Sequence, residues 1–276
     1  MSAPTAYAQR AIVDGGGTDA AVADASLQSP HENAEHTDES VASRVLGNPD
    51  DDLPDPVAED GERSGTLEGE AIPETPMTAH EIAALSDAQC LRVLRRAEVP
   101  FELSDRQWRG ISQPIWITGP IGGVTYRGSG HPRVRELVDC RLAVALVRFS
   151  RLLRAVHVHT LIHLSTYRAP TESEAQRRPV QTRHPGGMAI DAGSFVLDDG
   201  RTFSVLADFH GRMRRPVCGP MAHVPRDEGA RLLRTIACDS ARRGIFHVVL
   251  TPNFNRPHRN HFHLEITRGV QWQYVH

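Results

Sequence analysis

The chain has 276 residues, 39% of them hydrophobic, with 31 arginines, no lysine and 34 acids, for a formal net charge of −3. That length allows one large domain or two small ones, and no apolar run approaches the roughly 20 residues of a membrane span. The near-neutral total hides a split: residues 1–80 carry a net −14 and the remainder +11.

Residues 1–78 have few large apolar side chains and no sustained periodicity, and they carry breakers such as Gly15-Gly16-Gly17 and Pro49-Asp50-Asp51-Asp52-Leu53-Pro54. Such a stretch buries too little surface to offset its ordering entropy, so a disordered acidic region is expected there and a folded domain over 79–276. The start lacks a basic segment followed by an apolar one, so no signal peptide is expected, although Ala6-Tyr7-Ala8 has the small-x-small form of a cleavage site.

Ser86 or Asp87 can cap a helix through Cys90, Leu91, Val93 and Leu94 that Pro100 bounds. Short strands are expected at 114–118 and 123–126. Pro132 then opens a strongly amphipathic helix with Val134, Leu137, Val138, Leu142, Ala145, Leu146, Phe149 and Leu153 on one side. A strand over 156–167 and a polar loop over 171–183 follow. Two further strands, 188–197 and 201–207, flank Asp198-Asp199-Gly200, a strong hairpin signal. A helix over 226–243, a buried strand over 246–250, a loop over 251–257 and a last strand over 261–267 complete the domain. The expected class is α+β, a small antiparallel sheet with helices packed on one side.

Two segments about seventy residues apart carry the chemistry: His184-Pro185-Gly186-Gly187-Met188-Ala189-Ile190-Asp191 and His258-Arg259-Asn260-His261-Phe262-His263. Zinc favours imidazole nitrogen and carboxylate oxygen, and a catalytic site supplies three protein ligands and leaves a fourth position for water. His184, Asp191 and one histidine of the second segment make such a set. Phe262, Leu264 and Ile266 alternate with His261, His263 and Glu265, so the two histidines project from one face of a strand.

The run Ser165-Thr166-Tyr167-Arg168, then His184-x6-Asp191, then His261-x-His263 resembles the LAS group of zinc metallopeptidases: D-Ala-D-Ala peptidases, lysostaphin-type enzymes and the hedgehog domain. Residues from about Cys90 to His263 more closely resemble the bacterial extensin-like C-terminal domain family, through Cys90, Cys140, Cys238, the two histidine segments and Pro252-Asn253-Phe254-Asn255. The resemblance implies a hedgehog- or D-Ala-D-Ala-peptidase-like fold. It makes His184, Asp191 and His263 the zinc ligands and His261 the catalytic histidine. Arg168 would polarise the substrate carbonyl, and His258 and Tyr167 would line the site. Where related carboxypeptidases use a glutamate near the last histidine, position 260 is asparagine.

The function so implied is zinc-dependent hydrolysis of peptide bonds in peptidoglycan stem peptides or cross-links. A non-catalytic, zinc-containing wall- or protein-binding module is the alternative. Neither a nucleic-acid partner nor a membrane span is expected, and the family resemblance points to the periplasm or cell envelope. Cys90, Cys140, Cys218 and Cys238 include no C-x-x-C pair. In an exported protein they are expected to form at least one disulfide, with Cys218–Cys238 the leading pairing because both flank one insertion.

Overall fold

The computed structural model of the chain describes residues 77–129, 136–173 and 182–276. The stretch expected to be disordered lies outside the described residues except for its last two positions, and most of the polar loop at 171–183 lies outside them too.

Helices begin where side chains close the free amides of a first turn. Thr78 and Ser86 each accept from the third amide of the helix they precede, while Glu81 and Gln89 reach back to the cap amide. These boxes open α1 (Ala79–Ala84), too short to show periodicity in the sequence, and α2 (Asp87–Arg96), at the expected Ser86 cap. Strand β1 (Phe101–Leu103) has no counterpart in the sequence expectations; β2 (Pro114–Ile117) falls where expected, and β3 (Thr125–Gly128) begins two residues later than the expected 123–126.

The amphipathic run starting at Pro132 is not one helix. Glu136–Asp139 forms strand β4, in which Leu137 and Val138 pair with Trp116 and Ile115 of β2; Pro132 and Val134 lie outside the described residues. Only then does α3 (Cys140–Ala155) start, with the Asp139 carboxylate accepting the Arg141 amide. A buried strand running straight into a helix leaves an unbroken apolar pattern, and spacing alone does not locate the joint. The aspartate cap marks it.

The expected α+β class holds, but the single small antiparallel sheet does not. Strands β1, β2 and β4 form a three-stranded antiparallel sheet. A separate seven-stranded sheet contains β3, β5 (Val158–His163), β6 (Ala189–Leu197), β7 (Thr202–Ser204), β8 (Val248–Leu250), β9 (Phe262–Glu265) and β10 (Tyr274–Val275). Its order is β10-β8-β9-β6-β5-β3, with β7 also on β6, and it is mixed: the central pairings are antiparallel, whereas β3–β5 and β10–β8 are parallel. Parallel pairing needs a long crossover. The segment containing β4 and α3 supplies it between β3 and β5.

The Asp198-Asp199-Gly200 turn joins β6 to β7 as expected, with Gly200 at φ +85 and its amide donating to the Leu197 carbonyl. The second arm is shorter than expected, because Asp208 accepts the Ser204 amide (2.7 Å) and Val205–Asp208 turns into the short helix α4. Helix α5 (Glu228–Arg242) starts at an Asp227 cap. One apolar cluster joins Leu142, Leu146, Phe149 and Leu153 of α3, Leu233, Ile236 and Ala237 of α5, and Ile190, Ala192, Phe262 and Leu264 of the sheet. At about 1.5–3 kcal/mol for each large side chain, this cluster is the main stabilising term. The pleat sends Asp191, His263 and Glu265 to the opposite face.

Two disulfides brace this frame. Cys90–Cys140 ties α2 to the start of α3, and the expected Cys218–Cys238 bridge ties the segment before α5 to that helix. Closing loops of 50 and 20 residues restricts the unfolded chain by about 4 and about 3 kcal/mol respectively.

Burial pushes the His247 imidazole from its ordinary 6.5 down to about 4, and its Nδ1 accepts the Thr267 amide at 2.9 Å, which requires the neutral ring. Between those values the unfolded chain takes up a proton that the folded chain excludes. This group therefore adds nothing to the pH dependence above 6.5 and destabilises the fold as the pH falls towards 4. Thermal melts across that window are expected to show a shallower decline for His247→Gln than for the unsubstituted chain.

Candidate metal centre

The centre is assembled from two neighbouring strands and two loops. Asp191 on β6 and His263 on β9 are direct partners in the antiparallel register, so their side chains rise from one face. His184 arrives from a tight loop closed by three backbone bonds, Gly186 to Thr182, Gly187 to His184 and Met188 to Arg183. The chain after β5 then runs alongside: the Leu164 amide donates to the Asp191 carbonyl (2.8 Å) and the Asp191 amide to the Ser165 carbonyl (3.0 Å).

Gly187 lets this loop sit against the start of α3. Its φ is +64, and a Cβ there would stand 2.7 Å from the Asp139 nitrogen and 3.0 Å from Ile111 Cδ1. Bare backbone makes room for the Asp139 amide to donate to the Gly187 carbonyl (2.9 Å).

Asp191 Oδ1 is the focus. His184 Nε2 lies 3.0 Å from it, His263 Nδ1 3.1 Å and His261 Nε2 3.5 Å. Ser165 Oγ donates to the other oxygen, Oδ2, at 2.6 Å. Potential ligand atoms of His184, Asp191 and His263 all lie within 4.8 Å of one another, and all three residues are buried. Burial by itself would raise the Asp191 carboxyl. The charge of His184, with hydrogen bonds from His184 and His263, outweighs it and holds the group well below the usual carboxylate range.

The outer nitrogen of each imidazole faces an acceptor. His184 Nδ1 donates to the Thr166 carbonyl. His263 Nε2 lies 3.1 Å from Glu265 Oε2, His261 Nδ1 2.9 Å from Asn260 Oδ1, and the buried His258 Nδ1 2.6 Å from Asn255 Oδ1. A neutral imidazole has one N–H, so an outer donor leaves a lone pair inward. When protonated, His184 and His263 donate their inner N–H groups to Asp191; in the neutral tautomers that the outer acceptors favour, their inner nitrogens present lone pairs, the state in which an imidazole binds a metal. Repulsion between those lone pairs and the carboxylate disappears if a cation joins them. Two imidazoles and a carboxylate are the donor types zinc takes, so the residues fit that ion.

All three expected ligands thus meet. His261 joins them from just before β9 rather than within it, and His258 packs against both histidines, with ring centroids 5.0 Å from His261 and 5.9 Å from His263. Tyr167 belongs to an aromatic strip instead: its ring meets Trp108 edge-on at 5.6 Å and its hydroxyl donates to the Arg109 carbonyl. Arg168 is exposed, with its backbone amide on the His184 carbonyl (3.3 Å). Sequence reasoning overlooked the contacts of Glu265 and Ser165. Glu265 stood in the period-two pattern as a polar position on the histidine face, and that was the available signal.

The family described as "Extensin-like protein C-terminus" matches residues 88–276, so the chain belongs to that family. No curated protein and no solved structure gives a match.

Gly187→Ala is expected to lower stability in urea unfolding by about 2 kcal/mol or more, because it adds a steric clash to left-handed strain. Gly200→Ala, at φ +85 with nothing within 4 Å of the added carbon, isolates the backbone term and should cost only about 1 kcal/mol.

Proposed function

We propose that the chain is a zinc-dependent hydrolase of peptide bonds, held to its metal by His184, Asp191 and His263. The observation that carries this reading is the convergence of two imidazoles and one carboxylate, all buried, with ligand atoms within 4.8 Å of one another. Zinc in such a set supplies Lewis acidity towards a carbonyl oxygen and lowers the pKa of water. The remaining roles fall to the chain's own groups.

His261 is the least buried of the site histidines, with its side chain 12% exposed, and its Nε2 points towards Asp191. It is placed to take a proton from water and return it to the leaving amine, work suited to an imidazole near neutral pH. Asn260 holds its other nitrogen, which fixes the ring's orientation. Arg168, exposed and with its backbone amide on the His184 carbonyl, is assigned to a developing oxyanion, a role suited to its permanent charge.

Peptide bonds of wall stem peptides or cross-links are the proposed substrate because the ordered motifs Ser165-Thr166-Tyr167-Arg168, His184-x6-Asp191 and His261-x-His263 resemble those of the LAS peptidases. A hedgehog- or D-Ala-D-Ala-peptidase-like fold belongs to the same proposal. The two disulfides suit the oxidising cell envelope where that substrate lies.

Purified peptidoglycan incubated with the zinc-loaded chain is expected to release new amine termini, and a chelator to stop the release. His261→Ala should keep its zinc and lose roughly 10²-fold or more in rate, the scale of lost acid–base assistance. Undiminished activity in His261→Ala would reject that role. A zinc-loaded chain inert on several wall substrates would replace the hydrolase with a non-catalytic binding module.

A further inference from the structure

Glu265 lies on the histidine face of β9, two residues beyond His263, and is 2% exposed. Its oxygens have different partners: Oε2 lies 3.1 Å from His263 Nε2, and Oε1 accepts from Thr267 Oγ1 at 2.7 Å. Removing a carboxylate from water is costly unless its surroundings compensate. Here one oxygen is fixed by a hydroxyl and the other is aimed at the outer nitrogen of a proposed metal ligand.

His263 stands between two carboxylates, Asp191 at Nδ1 and Glu265 at Nε2. Which nitrogen carries the ring proton decides which one can serve as the ligand atom. A carboxylate at Nε2 accepts that proton's hydrogen bond, which leaves the Nδ1 lone pair for the cation and makes the ring more basic. His184 uses the opposite atoms: the Thr166 carbonyl takes Nδ1–H and Nε2 faces inward. The two ligands arrive by different routes, one from a strand and one from a loop, and each needs its own outer acceptor. A dication would also balance the buried carboxylates of Asp191 and Glu265.

We infer that Glu265 is a positioning residue for the metal, setting the tautomer and ring orientation of His263 through its Nε2–H, an inference that rests on the metal reading above. Thr267 secures it in turn, holding Oε1 through its hydroxyl while its backbone amide is tied to His247 (2.9 Å). The carboxylate therefore keeps its aim without help from the metal.

The test is zinc affinity of the full chain, measured by competition with a chromophoric chelator, together with the visible absorption of the Co²⁺-substituted protein. Glu265→Ala is expected to bind zinc about 10- to 100-fold more weakly, the usual effect of losing such a partner, and to shift the Co²⁺ spectrum. Glu265→Gln keeps an oxygen acceptor without the charge and should fall between the two. Circular dichroism establishes that each variant folds; if Glu265→Ala does not, Glu265→Gln carries the test, with a loss of at least several-fold expected. Native affinity and an unchanged Co²⁺ spectrum in the folded variant would overturn the role of Glu265. An unsubstituted chain that binds no zinc would instead overturn the metal reading itself.

Discussion

The site depends on one register. Asp191 and His263 are directly paired between β6 and β9, and slipping either strand by one residue would turn its polar side chain into the apolar core. The apolar partners, Ile190, Ala192, Phe262 and Leu264, pack with α3 and α5 and fix that register. Hydrophobic burial on one side of the sheet thus aims a carboxylate and an imidazole at each other on the other side. The pair needs no separate scaffold, because the strands that build the core also place the donors.

The third donor comes from a loop, and its support has a different character. His184 is held by the Thr166 carbonyl, by backbone bonds within 182–188 and by the approach of Gly187 to Asp139. Asp139 is also the cap of α3, and its neighbour Cys140 is bridged to Cys90. A loop pinned to a helix N-terminus by its own carbonyl, with the adjacent residue cross-linked, has little freedom to carry its histidine away. Preorganisation of this kind is what a metal or catalytic site requires of its supporting residues.

Much of this was legible in the sequence because the chemistry sits in short, ordered motifs. His184, Asp191 and the 258–263 cluster stand out by residue type and spacing, and the alternation of Phe262, Leu264 and Ile266 with polar residues showed which face the histidines share. The Ser86 cap and the Asp198-Asp199-Gly200 turn are local signals whose meaning does not depend on distant partners. What failed was non-local. Nothing within Leu137 and Val138 states that β2 will pair with them, so on spacing alone β4 looks helical. Nothing within Thr125–Gly128 states the direction of a neighbouring strand, and Tyr274–Val275 is too short to signal a strand at all, so the sequence alone points to an antiparallel sheet. The partnership of Glu265 with His263 was in the alternation all along, but a polar residue on a strand face acquires a role only when its neighbours are known.

The central claim is that His184 and Asp191, with His263, hold one zinc ion. The direct measurement is elemental zinc per chain after gentle dialysis, for the unsubstituted protein and for a His184→Ala, Asp191→Ala double variant whose fold is verified by circular dichroism. The account predicts one zinc per chain in the first and essentially none in the second. Stoichiometric zinc retained by the folded double variant, or none in the unsubstituted protein, would contradict it.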